Sequence, residues 1–294
     1  MSAGEVACPD GWRVIAHGAG FVEGPVAQGD AIDFVSVNRG TVWRAALDGS
    51  DFGVRVELGG GPNGATADAG GRLWVVQNGG RVMDTRSDVP ARPGIQVVDD
   101  DGAAVELADL GLAAPNDCAF GPDARLWFTD PYGRLMPAPD GDPDRTGAHG
   151  RVWAYDPQDG GLELVATDLP HPNGLCFDAS GERLYVTDTR MKAVLVIDVD
   201  AAGVRRPRTA AILPEGEPDG MAFDRDGRLW IAATSAEGLA VLAPSGEWDL
   251  VPLGPSFPTN VCFAGDGLAT MVVTAARGGR VLVRDVGTPG LPLR

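Results

Sequence analysis

A six-residue pattern recurs along this chain and limits its fold more than any other feature. Four copies are plainly related: Pro115-Asn-Asp-Cys-Ala-Phe120, Pro172-Asn-Gly-Leu-Cys-Phe177, Pro218-Asp-Gly-Met-Ala-Phe223 and Pro258-Thr-Asn-Val-Cys-Phe263. Two earlier segments, Val22-Glu-Gly-Pro-Val-Ala27 and Pro62-Asn-Gly-Ala-Thr-Ala67, share the frame. Copies starting at 22, 62, 115, 172, 218 and 258 are separated by 40, 53, 57, 46 and 40 residues, which brackets the ~40–50 residue period of propeller blades. After the middle four copies comes a turn and then an apolar strand, as in Arg72-Leu-Trp-Val-Val76, Arg125-Leu-Trp-Phe-Thr129, Arg183-Leu-Tyr-Val-Thr187 and Arg228-Leu-Trp-Ile-Ala232. β-Branched and aromatic residues dominate these runs. A third strand follows in most copies, for example Gly150-Arg-Val-Trp-Ala-Tyr155 and Gly279-Arg-Val-Leu-Val283. The pattern predicts an all-β chain: a six-bladed β-propeller with four-stranded antiparallel blades around a central funnel, residues 1–294 forming a single domain. The segment Trp12-Arg-Val-Ile-Ala16 has no blade of its own and is expected to complete the last blade, which removes an open sheet edge.

Composition agrees with frequent turns around an apolar core: 42 Gly and 23 Pro accompany 44% hydrophobic residues. The formal net charge of −17 repels phosphate backbones and anionic membrane surfaces, so neither nucleic acid nor membrane is an expected partner. Met1–Gly11 lacks the basic and apolar regions of a signal peptide, and no stretch approaches the ~20 apolar residues of a spanning helix. The expectation is a cytoplasmic protein, as a monomer or small homo-oligomer. Cys118, Cys176 and Cys262 sit inside apolar runs without CxxC spacing and read as small buried hydrophobes. Two stretches, 84–94 and 131–149, interrupt the rhythm as loop insertions, and the longer is expected to overhang one mouth of the funnel.

The second position of each copy carries a side-chain oxygen: Glu23, Asn63, Asn116, Asn173, Asp219 and Thr259 in order. First strands of a propeller start at the central funnel, so equivalent positions in successive blades should aim these oxygens at one axis. Hard divalent cations favour such carboxylate and amide oxygens. Glu23 and Asp219 supply two negative charges for one divalent ion, and Asn116 and Asn173 add neutral carbonyls. Asn and Asp ahead of a strand also form turns, but Glu23 in Glu-Gly-Pro has no such preference. Asp130 and Asp188 each end a second strand and are placed behind the ligand amides as orienting groups, or as caps. His171, two residues before Asn173, and Tyr132 could reach the funnel as substrate contacts, or serve packing alone. No GxSxG, Walker loop or metal-type His or Cys spacing occurs.

Taken in order, Glu23-Gly-Pro, Pro115-Asn-Asp, Phe128-Thr-Asp-Pro-Tyr-Gly133, Pro172-Asn-Gly, Pro218-Asp-Gly and Pro258-Thr-Asn-Val resemble the markers of the senescence marker protein / gluconolactonase / luciferin-regenerating family of calcium propellers. The resemblance implies a divalent metal, calcium foremost with Mg, Mn or Zn as alternatives, in the central funnel. Its usual ligands fall on Glu23, Asn173 and Asp219, with Asn116 as ligand or substrate contact, and Asn63 and Thr259 become funnel lining. It also implies hydrolysis of a lactone or related ester, the metal polarising the carbonyl while a carboxylate, here Asp219, takes a proton from water. Because Asp219 would also bind the ion, it could instead act as nucleophile or as ligand only.

Two departures stand out. Ala114 occupies a position where sugar-lactone members often place an Arg, and an unusual first blade, Val26-Ala-Gln-Gly-Asp-Ala-Ile-Asp-Phe-Val-Ser36, replaces the aromatic-rich strand common in sugar lactonases. They leave room for other chemistry on the same site, such as phosphotriester hydrolysis or a tailoring reaction on a secondary metabolite, and for a non-catalytic ligand-binding propeller.

Overall fold

The computed structural model describes residues 8–99, 101–107, 110–131, 149–199 and 205–292. Among them, strands form six four-stranded antiparallel sheets. Blade 1 is built from Val22–Gln28, Ala31–Ser36, Thr41–Ala46 and Phe52–Glu57, and blades 2 to 5 repeat the same innermost-to-outermost order. In blade 6 the three strands Pro258–Ala264, Thr270–Ala275 and Arg280–Asp285 are joined on the outside by Arg13–Ala16, which pairs antiparallel with the third of them. The two ends of the chain thus share one sheet, and the ring closes as a six-bladed β-propeller. No helix among the described residues is long and apolar enough to cross a membrane.

The core is divided into six wedges, one between each pair of neighbouring blades. The repeat explains them. The aromatic residue of the second strand stacks edge-on against the Phe that ends the six-residue unit of the next blade. Trp74 meets Phe120 at 5.6 Å and 85°, Trp127 meets Phe177 at 5.6 Å and 90°, and Tyr185 meets Phe223 at 5.0 Å and 79°. Each such burial contributes roughly 2–3 kcal/mol. The turn Asp between the two strands locks the indole: Trp74 Nε1 and Arg72 Nε both donate to Asp68 Oδ2, and Trp230 Nε1 and Arg228 Nε to Asp224 Oδ2. Cys118, Cys176 and Cys262 are unpaired and buried in these wedges.

Blade 1 departs from the scheme at Asp33, which stands where blades 2 to 5 carry the aromatic residue. Its carboxylate is fully buried and receives Arg44 at 2.7 and 2.8 Å and Arg55 at 2.6 Å. The unusual first repeat therefore replaces an aromatic contact between blades with a buried ion pair.

In five blades the first strand carries a bulge just after its start, between Glu23 and Val26, Pro62 and Ala65, Pro172 and Leu175, Pro218 and Met221, and Pro258 and Asn260. An extra residue in one strand re-aims the neighbouring side chains. Here it falls on the second and third positions of the repeat, at the strand end nearest the axis.

Candidate active site

Five of the six second-position residues, Glu23, Asn63, Asn116, Asn173 and Asp219, line one cavity of about 450 Å³ at the mouth of the funnel, together with His171. The sixth does not. Thr259 is fully buried, and its hydroxyl donates to the Val22 carbonyl at 2.7 Å and pairs with Thr274 Oγ1 at 2.8 Å. The expected substrate contact is instead a clasp between blades 6 and 1, because a short hydroxyl placed beside an open carbonyl is satisfied there. Thr129 and Thr187 do the same in other blades, donating to the carbonyls of Asn173 and Asp219 at 2.7 and 2.8 Å. These bonds hold the backbone of the ring residues in place. Tyr132, and all but the two ends of the 131–149 insertion, lie outside the described residues.

Asp130 and Asp188 are fully buried behind the cavity, and their recorded hydrogen bonds run mainly to backbone. Asp130 accepts from the amides of Ala113 and Ala114 at 3.1 and 2.6 Å and from Trp153 Nε1 at 3.2 Å. Asp188 accepts from the amides of His171 and Met191 at 2.9 and 3.0 Å. Each clamps the loop that leads into the first strand of its blade, so it positions Asn116 or Asn173 through the chain and not by touching their amides. Burial raises both carboxyls above their ordinary range, moderated by these N–H donors. Gln77 fills the equivalent place in blade 2, accepting from the Gly61 amide at 2.5 Å. Ala114 is buried under the Asp130 clamp and does not line the cavity.

Beneath the ring lies a tier that the second-position reading overlooked. The third position of the repeat is Gly24, Gly64, Gly174 and Gly220 in four blades but Asp117 and Asn260 in blades 3 and 6. The glycines make room. A Cβ on Gly220 would fall 1.9 Å from Asn260 Cγ, and one on Gly64 would fall 2.7 Å from Asp117 Oδ1. The two longer side chains fill the space so freed and close the axis below the cavity. Asn260 Nδ2 lies 3.3 Å from Glu23 Oε2 and 3.4 Å from Asp117 Oδ2, bridging two carboxylates from different blades. The signal was present in the sequence as the only two copies that break the glycine column.

The electrostatics follow from three carboxylates crowded at one buried spot. Burial raises Glu23 well above the usual carboxylate range, and the charges of Asp219 and Asp117 raise it further. Asp219 is raised in the same way, by burial first and then by Asp117, against hydrogen bonds from Asn173 and the Gly220 amide. Asp117 is pushed up to about 6 by burial, moderated by the Cys118 amide, Asn260 and the Leu175 amide. His171 is driven the other way, down to about 4, by burial and by Arg190, so its ring is neutral near pH 7. No ion pair joins the three carboxylates to Lys or Arg among the described residues.

That arrangement bears on whether a cation suits the site. Among the described residues no three His, Cys, Asp or Glu side chains converge as a metal-binding group, so an ion would have to draw on amide oxygens beside Glu23 and Asp219. Asn173 offers one: its Nδ2 is committed to Thr189 Oγ1 at 3.0 Å, which leaves Oδ1 as the available atom. Hard oxygen donors, two of them anionic and destabilised by mutual repulsion, fit an oxygen-seeking divalent ion.

The rest of the wall is apolar. Phe21, Val37, Val82, Met83 and Phe257 line it, with Thr189, Thr234 and Asp84 as polar exceptions. Val82 and Met83 lie just before the 84–94 insertion and Asp84 begins it, so this part of the wall is built where the shorter insertion leaves blade 2. Phe257 is held at φ 51°, a left-handed conformation that costs a bulky residue about 1–3 kcal/mol. The surroundings enforce it: the amides of Ser256 and Phe257 both donate to Glu237 Oε2 at 2.6 Å, and Arg277 pairs with the same carboxylate at 2.7 Å.

Comparisons with known proteins agree with this architecture. Residues 21–277 match the SMP-30/Gluconolactonase/LRE-like region. A gluconolactonase of Zymomonas mobilis is 29% identical over 228 residues, covering 74% of this chain and 61% of that protein, so the match spans about three fifths of that relative's length. The structure of a gluconolactonase from Xanthomonas campestris superposes with a TM-score of 0.76 at 25% identity, covering 95% of this chain and 89% of that one. Regucalcin, a calcium-binding protein from Agrobacterium tumefaciens, gives a TM-score of 0.76 at 18% identity over 98% of both chains, a likeness of fold.

Proposed function

This chain belongs to the SMP-30/gluconolactonase/LRE-like family, and on that premise we propose that it is a metal-dependent hydrolase that opens a lactone or related ester of a small molecule. The carrying observation is the polar end of the cavity, where Glu23 and Asp219, crowded by Asp117, are buried without a cationic partner among the described residues, beside the amides of Asn116 and Asn173. The gluconolactonases among its relatives support the same reaction class. Glu23, Asn116, Asn173 and Asp219 would hold a divalent cation, calcium by preference and Mg, Mn or Zn as substitutes. When bound, it would supply Lewis acidity to a substrate carbonyl.

The protein's own groups account for the remaining chemistry. Asn63 and Asn116 stand at the cavity edge as hydrogen-bond partners for the ester oxygens, and neutral His171 offers a further contact without a charge. Asp219 accepts a proton on its carboxylate as water adds to the carbonyl carbon, and returns it to the ring oxygen as the C–O bond breaks, leaving a hydroxy acid. Burial and the neighbouring Asp117 raise the Asp219 carboxyl in the metal-free protein, and a bound cation would act against that shift. Asn260 and Asp117 lie beneath, where Asn260 Nδ2 bridges Glu23 and Asp117.

The test is a lactone and ester panel run with added calcium and with chelator, on the parent protein and on Glu23→Gln and Asp219→Asn. Ring opening should require the cation, and each substitution should abolish both cation binding and at least ~99% of turnover. Normal cation binding and undiminished lactone opening in both variants would refute the assignment. An aryl phosphotriester in the same panel, turned over while every lactone is left intact, would place the chemistry elsewhere.

A further inference from the structure

The polar floor occupies only one end of the cavity. Above it the wall is Phe21, Val37, Val82, Met83 and Phe257, and among the described residues no Lys or Arg lines the space. A divalent ion held by Glu23 and Asp219 would do no more than balance their two charges, so the lining offers no surplus of positive charge. A polyhydroxylated ring would lose hydrogen bonds to water against such a wall without regaining them, and a carboxylate, sulfonate or phosphate substituent lying there would lose its hydration with no Lys or Arg among the described lining residues to pair with.

The phenylalanines are deliberate features of the wall. Their rings lie 6.4 Å apart at 66°, edge to face, and come from opposite sides of the junction between blades 1 and 6. Phe257 takes its place only because Glu237 captures two successive amides and holds the chain in a conformation that side chains of this size rarely adopt. A fold that merely needed a turn there would be better served by Gly. The ring is therefore held at the cavity for what it contacts.

We propose that the site takes neutral lactones or esters bearing an apolar alkyl or aryl substituent, and that Phe21 and Phe257 select them by packing against that substituent. This rests on the lactone-hydrolase reading above and adds the substrate class to it. The ester carbonyl would face the oxygen donors on the floor, with its substituent against the aromatic wall.

The experiment compares six-membered lactones that share one reacting group: δ-valerolactone, δ-octalactone and δ-decalactone against D-glucono-1,5-lactone. Each buried methylene should raise kcat/KM by about 2–4-fold until the wall is filled, so δ-decalactone should exceed D-glucono-1,5-lactone by at least about tenfold. Phe257→Gly suits the positive φ and removes the ring with the backbone relaxed; Phe21→Ala removes its partner. Both should raise KM for δ-decalactone about tenfold with kcat within about threefold, and leave KM for D-glucono-1,5-lactone within about twofold. Preference for the polyhydroxylated lactone, no dependence on chain length, or equal effects of the variants on both substrates would overturn the proposal while leaving lactone hydrolysis standing. Failure to open any of the four would overturn both.

Discussion

Replacing Asp117 by Asn tests the electrostatic account of the site with the least disturbance of shape, since the side chains are isosteric and the position is almost fully buried. In metal-free protein the Asp117 carboxyl rises from an ordinary 3.8 to about 6. A carboxyl whose folded pKa lies above its unfolded value holds its proton in the folded state after the unfolded chain has lost it. Stability therefore falls as pH rises from about 4 to about 6 and levels off above. The shift corresponds to about 3 kcal/mol of destabilisation at pH 8. Asparagine removes that penalty but loses one acceptor for the Cys118 and Leu175 amides, which offsets about 1 kcal/mol. In chelator at pH 8 the variant should be more stable by about 2 kcal/mol, roughly 4–6 °C in Tm, and the gain should vanish at pH 4. With saturating calcium the order should reverse in affinity, because Asp117's negative charge attracts the ion, and Kd should rise about tenfold. Thermal melts followed by circular dichroism across pH 4–8, with and without calcium, give both readings. A gain independent of pH, or a loss at pH 8 in chelator, would show that the three carboxylates are not in conflict.

Two further expectations concern stability. His171 is held down to about 4 from an ordinary 6.5, so its contribution is fully present above pH 6.5 and is lost as pH falls towards 4, about 3 kcal/mol in all; His171→Asn should flatten that limb in urea titrations between pH 7 and 4, and an unchanged limb would contradict its burial as a neutral ring. Gly220→Ala places a methyl group against Asn260 and should cost about 2 kcal/mol by displacing the bridge between Glu23 and Asp117, read as a lower urea midpoint with unchanged m-value, whereas a silent substitution would mean that the lower tier is loosely packed.

Much of this protein was legible in its sequence because a propeller writes each blade out again. The strands and their number follow from local patterns: an Arg-Leu-Trp or Arg-Leu-Tyr run after a turn, and a Phe as the sixth residue of four of the six units. Equivalent positions in a ring must face a shared axis, so Glu23, Asn63, Asn116, Asn173 and Asp219 could be brought together before any coordinates. The assignment weakened where a side chain had a choice of partner. Thr259 occupies the ring position but finds the Val22 carbonyl and Thr274. Asp130 and Asp188 have the right place in the pattern, yet only the packed structure shows them binding backbone amides.

Tertiary structure alone decided what lies below and above that ring. The fit of Asp117 and Asn260 depends on glycines in other blades, up to 53 residues away for Gly64 and 40 for Gly220. The apolar wall is drawn from Phe21, Val37, Val82, Met83 and Phe257, positions outside the repeat, and a distant group can set their conformation, as Glu237 sets that of Phe257. Repeated local energetics thus determined the ring and the level at which polar oxygens gather. Non-repeating contacts between blades, which no local pattern encodes, decided which of those oxygens remain available and what kind of molecule the cavity can hold.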